Sequence, residues 1–155
     1  MTMEKENKHA LAIFEQLKEY YRVELCPRAE YTAVTFLLNE LLTPDKQEAL
    51  DETAMSFICG NKEPTVYFAG QLRPHLPKSK KNAILALAND LSREAYFLKF
   101  IVKNDSDPDI YTICAMYSLS FQTNIDIGQT ALDIIYDLQT TLRELWPRIE
   151  AVYEE

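Results

Sequence analysis

Glycine is scarce in this chain, which has only three among its 155 residues. Tight turns with positive φ and close approaches of the backbone to a phosphate group depend on glycine. The phosphate-binding loop GxxxxGK followed by Ser or Thr is absent, as are the motifs GxGxxG, GxSxG and HExxH. The sequence therefore argues against a nucleotide-binding glycine loop, and it also argues against broad disorder.

Histidine is scarcer still, since His9 and His75 are the only two. His9 belongs to the polar rim of the first predicted helix, and His75 lies between two prolines. A histidine-based metal site needs further ligands at characteristic spacings, and the sequence supplies none. We expect both side chains to be exposed, and we predict no metal site and no cofactor.

The three cysteines, Cys26, Cys59 and Cys114, are widely spaced and form no CxxC pair. This pattern excludes a zinc ribbon and argues against a disulfide framework. We predict free, inert thiols in a reducing compartment. Cys26, which precedes Pro27, is the thiol expected to be most exposed, and no local signature marks it as activated.

Positive charge is in deficit, with 16 basic residues against 24 acidic ones and a formal net charge of -8. Because nucleic-acid affinity comes largely from neutralising phosphates, nucleic acid is not an expected partner. One basic cluster is present, and the pattern is typical of a solvated loop and helix start. Its members are Arg73, His75, Lys78, Lys80 and Lys81.

Long apolar runs are also missing, and none approaches the ~20 residues that a membrane helix needs. The first seven residues are polar and charged, without the apolar stretch of a signal peptide. We therefore expect a cytoplasmic protein with no membrane partner.

Apolar residues are plentiful, at 47% of the chain, and 11% of residues are aromatic. A chain of this length forms one domain that buries roughly 70% of its unfolded surface. Hydrophobic spacing predicts eight elements. They are a helix over Glu4–Arg22, strands over Tyr31–Asn39, Thr53–Cys59 and Thr65–Leu72, a helix over Ser79–Ser92, strands over Tyr96–Lys103 and Ile110–Phe121, and a last helix from Asp126.

Local residues qualify several of these predictions. The segment predicted as the first strand could also form a helix, because Leu37, Leu38, Leu41 and Leu42 could line one helix face. Its Thr, Val and Phe residues favour a strand. Pro74 and Pro77 indicate a loop, and Pro147 should kink or split the last helix. The order α-β-β-β-α-β-β-α predicts an α+β domain over residues 1–155, with a five-stranded, mostly antiparallel sheet and helices packed on one face.

Two acidic segments are candidate sites. Asp105–Asp109 resembles a calcium loop but lacks its glycine and terminal glutamate, so a hairpin turn is the better interpretation. Glu48, Asp51 and Glu52 are interpreted as a solvated face. No catalytic, cofactor-binding or metal-binding residue is predicted. The nine tyrosines suit either a protein-binding face or internal packing, and the interacting residues stay unassigned.

The second half of the chain resembles the YbjN family. The resemblance rests on Pro77, on the helix end Leu87–Leu91, and on a strand with Lys99 and Phe100, followed by a hairpin and a long terminal helix. Ala88-Asn89 replaces the Leu-Asn pair typical of the family. The family fold is similar to that of class I type III secretion chaperones, which are small, acidic dimers that bind extended client segments.

The resemblance implies a non-enzymatic protein-binding or regulatory module, chaperone-like, with a protein partner or client and a homodimeric state. It transfers no catalytic residue. Two alternatives stay open: a dedicated type III secretion chaperone for one effector, and a small-molecule-binding domain or unusual enzyme.

Overall fold

The computed structural model describes residues 7–37, 54–62, 65–104, 110–119 and 126–153. Helix α1 spans Lys8–Leu17, and it precedes strands β1 (Val23–Pro27), β2 (Tyr31–Leu37), β3 (Ala54–Gly60) and β4 (Val66–Pro77). A 3₁₀ turn (Lys78–Lys80) leads into α2 (Lys81–Glu94), which is followed by β5 (Lys99–Asn104) and β6 (Ile110–Leu119). Helices α3 (Ile127–Glu144) and α4 (Trp146–Tyr153) complete the order.

The described strands form a six-stranded antiparallel sheet in the order β1-β2-β3-β4-β6-β5. The α+β class is confirmed, but the predicted count of five strands is wrong because β1 was missed. The first helix ends at Leu17 rather than Arg22, and Val23 and Leu25 then turn toward the core. Pro27 is tolerated because β1 is an edge strand and Pro27 is its last residue.

Strand β4 continues through the segment predicted as a loop. Its pairing with β3 stops at Gly70, whereas its pairing with β6 continues to Pro77 with register shifts on either side of Arg73. Pro74 and Pro77 therefore lie where β4 has lost one neighbour, and a residue without an N–H is tolerated at such an edge.

One face of the sheet carries the core. The rings of Phe57 and Phe68 have centroids 4.9 Å apart, and Phe36 stacks on Phe68 at 6.1 Å. Buried residues of all four helices, such as Ile13 and Leu87, join the same cluster as these strand residues. The prediction that the helices pack on one face of the sheet is thereby confirmed.

Helices α1 and α3 approach closely at Gly128. A Cβ atom at this position would lie 3.1 Å from the carbonyl oxygen of Ala12 and 3.0 Å from Cβ of Gln16. The glycine thus allows the close helix contact rather than a phosphate contact.

The helical C-terminal segment matches its prediction. Asp126 is the N-cap of α3, because its side chain accepts a hydrogen bond from the Gln129 N–H at 3.1 Å. The helix breaks at Leu145, and Pro147 falls in the first turn of α4, where a missing N–H costs little. Pro147 therefore marks a split between two helices.

Several predictions fall outside the described residues. They concern the end of the first strand beyond Leu37, the acidic cluster of Glu48, Asp51 and Glu52, and the predicted turn 105–109.

Candidate functional site

Asp137 is a buried carboxylate in the middle of α3, with 3% of its surface exposed. Its Oδ1 accepts a hydrogen bond from the Tyr96 N–H at 2.9 Å. Its Oδ2 accepts from the N–H groups of Phe97 at 2.8 Å and Leu98 at 3.2 Å. Three charge-assisted hydrogen bonds offset the cost of burying this charge.

These hydrogen bonds hold the connection between α2 and β5 in a fixed shape. The sequence alternation predicted that the strand begins at Tyr96, but the strand begins at Lys99. The reason is that three successive N–H groups turn toward one carboxylate instead of toward a neighbouring strand. Leu98 is buried in the core, while Tyr96 and Phe97 are left at the surface.

The connection and α3 enclose a cleft of about 470 Å³, here called the tyrosine cleft. Its volume falls within the range of ligand pockets, about 300 to 1,000 Å³. Aromatic, acidic and hydroxyl side chains line it, with no lysine, arginine or histidine among the described lining residues. They are Glu94, Tyr96, Phe97, Asp133, Tyr136, Asp137, Thr140, Thr141 and Glu144.

Two tyrosines of the cleft lining are strongly exposed. Tyr96 is 92% exposed and Tyr136 is 67% exposed. Phe97 is more restrained, because its ring packs edge-on against Tyr117 with centroids 5.8 Å apart. The Asp133 carboxylate beside Tyr136 accepts from the Gln129 side chain at 3.0 Å. The cleft thus offers aromatic faces and carboxylate oxygens to a ligand.

A second surface is the side of the sheet away from the helices, here called the open sheet face. It is formed by the outward-pointing residues of all six strands. They are Glu24, Cys26, Tyr31, Ala33, Thr35, Leu37, Ala54, Ser56, Ile58, Tyr67, Ala69, Gln71, Lys99, Ile101, Lys103, Thr112, Cys114 and Met116. Ala33 and Cys114 are buried, although neither belongs to the core cluster.

Large exposed apolar side chains concentrate on these two surfaces. Ten occur among the described residues. Five lie on the open sheet face (Tyr31, Leu37, Tyr67, Ile101, Met116) and three at the tyrosine cleft (Tyr96, Phe97, Tyr136). Clustered apolar exposure indicates interaction surfaces, whereas scattered apolar residues need no such explanation.

The cysteines do not come together. Cys59 and Cys114 are buried and Cys26 is partly exposed, as the sequence predicted for Cys26 relative to the others. Burial raises the pKa of Cys59 to about 12. Burial also raises the pKa of Cys114, with a smaller opposing effect from the Lys103 charge. Both shifts disfavour the reactive thiolate.

The histidines are separated as well. His9 lies half-buried in α1, rather than exposed as predicted, and His75 lies in β4. No group of three metal-ligating side chains occurs among the residues that the structure describes. Within the same residues, no helix is both long and apolar enough to cross a membrane.

The basic cluster is divided between elements. Arg73 lies in β4, and Lys78 lies in the 3₁₀ turn. The Lys80 ammonium group donates to the carbonyl oxygen of Val152 at 3.0 Å, near the end of α4. Such a contact satisfies a C-terminal carbonyl of a helix, so Lys80 has a structural task.

Sequence reasoning missed the role of Asp137, although a signal was present. The apolar stripe of α3 includes Ile134, Leu138 and Leu142. Asp137 follows Ile134 by three residues and therefore falls beside this stripe. A charged residue at a core-facing position of a helix indicates a buried partner, but the spacing could not show that the partner is the backbone of residues 96–98.

Comparisons with known proteins find only distant similarity. The sequence matches no protein family and no curated protein. Among solved structures, the chain is similar to one described as "Crystal structure of YbjN, a putative transcription regulator from E. coli". The TM-score is 0.49 and the sequence identity is 15%. The alignment covers 84% of this chain and 86% of that chain. This likeness does not show that the chain belongs to the YbjN family.

Proposed function

We propose that this protein is a non-enzymatic binding module, regulatory or chaperone-like, that holds a lysine- or arginine-bearing segment of a partner protein in the tyrosine cleft. The observation that carries the proposal is the pair Tyr96 and Tyr136, which stand exposed beside carboxylates. Tyrosine is enriched at protein interfaces because an apolar ring there carries a polar tip.

The charge of the cleft favours a cationic segment. Asp137 is occupied by three backbone donors, so the carboxylates left to attract a cation are Glu94, Asp133 and Glu144. An ammonium or guanidinium group can also lie over a tyrosine face, which contributes about 0.5 to 1 kcal/mol at an exposed site. The formal net charge of -8 adds attraction over a longer range.

The chemistry of the cleft supports binding rather than catalysis. The buried carboxylate is engaged in holding the chain between α2 and β5, so it is not positioned to act on a substrate. The two buried thiols have raised pKa values and are not in the cleft lining. Efficient nucleophilic catalysis needs an activated nucleophile beside an oriented base.

A peptide-display selection on the purified protein tests this proposal. A library of random peptides is selected on the wild-type chain, and the enriched peptides are measured by fluorescence polarisation. We expect enrichment of lysine and arginine beside apolar residues. The double variant Tyr96→Ser/Tyr136→Ser should then weaken binding at least roughly tenfold, as expected when central aromatic contacts are lost.

The matched control is Tyr20→Ser, because Tyr20 is 63% exposed but lies outside the cleft lining. This control should retain wild-type affinity. Peptides that bind the wild type, Tyr20→Ser and the cleft variant equally would contradict the proposal, as would a selection that enriches no cationic residue.

A small organic cation is the second candidate ligand, since the cleft volume of about 470 Å³ also suits a small molecule. Thermal unfolding with tetramethylammonium or spermidine tests it, because a ligand that binds only the folded state raises Tm. Two results together would favour this second function. The ligand would raise the Tm of the wild type but not that of Tyr96→Ser/Tyr136→Ser, and the display selection would enrich no peptide.

A further inference from the structure

The open sheet face has one continuous row of side chains that crosses all six strands. Register pairing connects Glu24 on β1 to Thr35, Ser56, Ala69, Met116 and finally Lys99 on β5. The row therefore begins with a carboxylate at one edge and ends with an ammonium group at the other. Small side chains, Ser56 and Ala69, occupy its centre.

This arrangement has a consequence for symmetric association. One possible two-fold axis runs parallel to the strands and passes between β3 and β4. In the second copy, this axis reverses the order of the strands but leaves each residue at the same position along the strand direction. It would place Glu24 of one copy opposite Lys99 of the other, and it would do so twice. A two-fold axis perpendicular to the strands, passing through this row, would instead place Glu24 opposite the Glu24 of the second copy.

The centre of the row suits close packing of two sheets. Under the first axis, Ser56 of one copy would lie over Ala69 of the other. Short side chains there allow the sheets to approach to about 10 Å, the usual distance between packed sheets. In the adjacent row, the paired residues Ile58 and Tyr67 would be brought together in the same way.

The area of the face is sufficient for a dimer. Five steps of about 4.8 Å between strands, with strand lengths of about 20 Å, give a flat footprint of roughly 500 Å² per copy. Two copies would cover roughly 1,000 Å² before the relief of the side chains is counted, which reaches the lower bound for specific interfaces. Half of the ten large exposed apolar side chains among the described residues would be covered.

We propose that the open sheet face binds a second copy of this chain, with the two-fold axis parallel to the strands and with Glu24 of each copy paired with Lys99 of the other. Among the described residues, neither Glu24 nor Lys99 forms an ion pair within its own chain. The tyrosine cleft lies on the helix side, so this interface and the proposed peptide site are separate.

Sedimentation equilibrium of the full chain at low salt, up to about 100 micromolar, tests the association, with low salt preserving charge effects. A dimer of the 17.9 kDa chain is expected. Ala69→Arg should convert it to a monomer, because a long charged side chain at the centre prevents close packing. Ala86→Arg, on the exposed surface of α2, is the matched control and should stay dimeric.

A charge reversal tests the symmetry and does not depend on the folding of Ala69→Arg. Glu24→Lys and Lys99→Glu should each weaken the dimer roughly tenfold, since two attractive pairs become repulsive. The double variant Glu24→Lys/Lys99→Glu should restore wild-type affinity.

Three results would overturn the proposal. They are a monomeric wild type, a dimer equally stable in Ala69→Arg and Ala86→Arg, and charge reversals that leave the dimer unchanged or are not rescued in combination. A monomeric wild type that still selects cationic peptides would contradict the dimer while leaving the proposed function in place.

Discussion

The side-chain amide of Asn7 donates a hydrogen bond to Asn61 Oδ1 at 2.9 Å, which connects the start of α1 to the end of β3. Asn7 is also the N-cap of α1, because its Oδ1 accepts from the Ala10 N–H at 3.0 Å. Asn61 in turn donates to the Arg28 carbonyl oxygen at 2.7 Å and accepts from the Thr32 hydroxyl at 2.9 Å. The two asparagines therefore join the first helix to two turns of the sheet.

We expect Asn61→Ala to reduce the free energy of unfolding by about 2 kcal/mol, because it leaves several polar partners in the turns without a hydrogen bond. Urea unfolding measures the change. Asn82→Ala, an exposed position on α2, is the control and should change stability by less than about 0.5 kcal/mol. Equal stability of the two variants would show that the turn network contributes little.

Asp137→Asn should destabilise the protein by about 2 to 3 kcal/mol. An amide has a single acceptor oxygen, and its NH₂ group would face N–H donors that the carboxylate now satisfies. Urea unfolding and limited proteolysis between α2 and β5 measure the effect. Asp133→Asn, one turn earlier in α3 and exposed, is the control that should retain wild-type stability and protection. Unchanged proteolysis in Asp137→Asn would contradict the role assigned to this carboxylate.

Gly70→Ala should destabilise the sheet through a steric clash with Met55. An added Cβ would lie 2.9 Å from Met55 Cβ, and closer still to Met55 Cγ. Overpacking of this kind costs about 1 to 3 kcal/mol. In a double-mutant cycle, the cost of Gly70→Ala should be smaller in a Met55→Ala background, because the Cγ atom is then absent. Purely additive effects would mean that the neighbouring strands adjust without resistance.

The stability of the protein should fall at alkaline pH through Cys59. Burial raises the pKa of this thiol from 9.0 to about 12, so the unfolded chain releases the proton at a lower pH than the folded chain does. The stability that this proton contributes is fully present below pH 9.0 and is lost as the pH rises toward about 12.

Urea unfolding at about pH 8 and about pH 10.5 measures the effect, which should be about 2 kcal/mol between the two conditions for this one group. Cys59→Ala provides the comparison, because it removes the titrating thiol. The variant is less stable overall owing to its cavity, but its stability should decrease less between the two pH values. Parallel decreases in both proteins would argue that Cys59 does not titrate differently on unfolding.

Local patterns in the sequence determined much of the architecture. Helical spacing with an Asp N-cap defined α3, and Pro147 marked its separation from α4, because these effects act within a few residues. Alternation of apolar residues predicted β2, and runs of residues that favour strands predicted β3 and β6. The order of elements predicted the α+β class and the placement of helices on one face. The edge strand β1 was missed because Arg22 and Pro27 bracket only four residues.

The surfaces that carry the proposals could not be found in this way. Nine tyrosines in the sequence left packing and binding equally open. Only the fold separates the exposed Tyr96 and Tyr136 from Tyr21, Tyr111 and Tyr117, which are partly buried against the core. The hydrogen bonds of Asp137 span about forty residues of chain, with separations of 39 to 41 positions. No local periodicity contains that information.

The sequence by itself determined a chain rich in apolar residues, poor in glycine and histidine, and strongly acidic. Those properties exclude familiar motifs because the motifs need particular residues at short spacings. Only the tertiary structure decided that Glu24 and Lys99 end one row across six strands, since sheet register is a relation between segments that lie far apart along the chain. The same long-range packing placed exposed tyrosines beside carboxylates, and it left large apolar side chains exposed on two distinct surfaces.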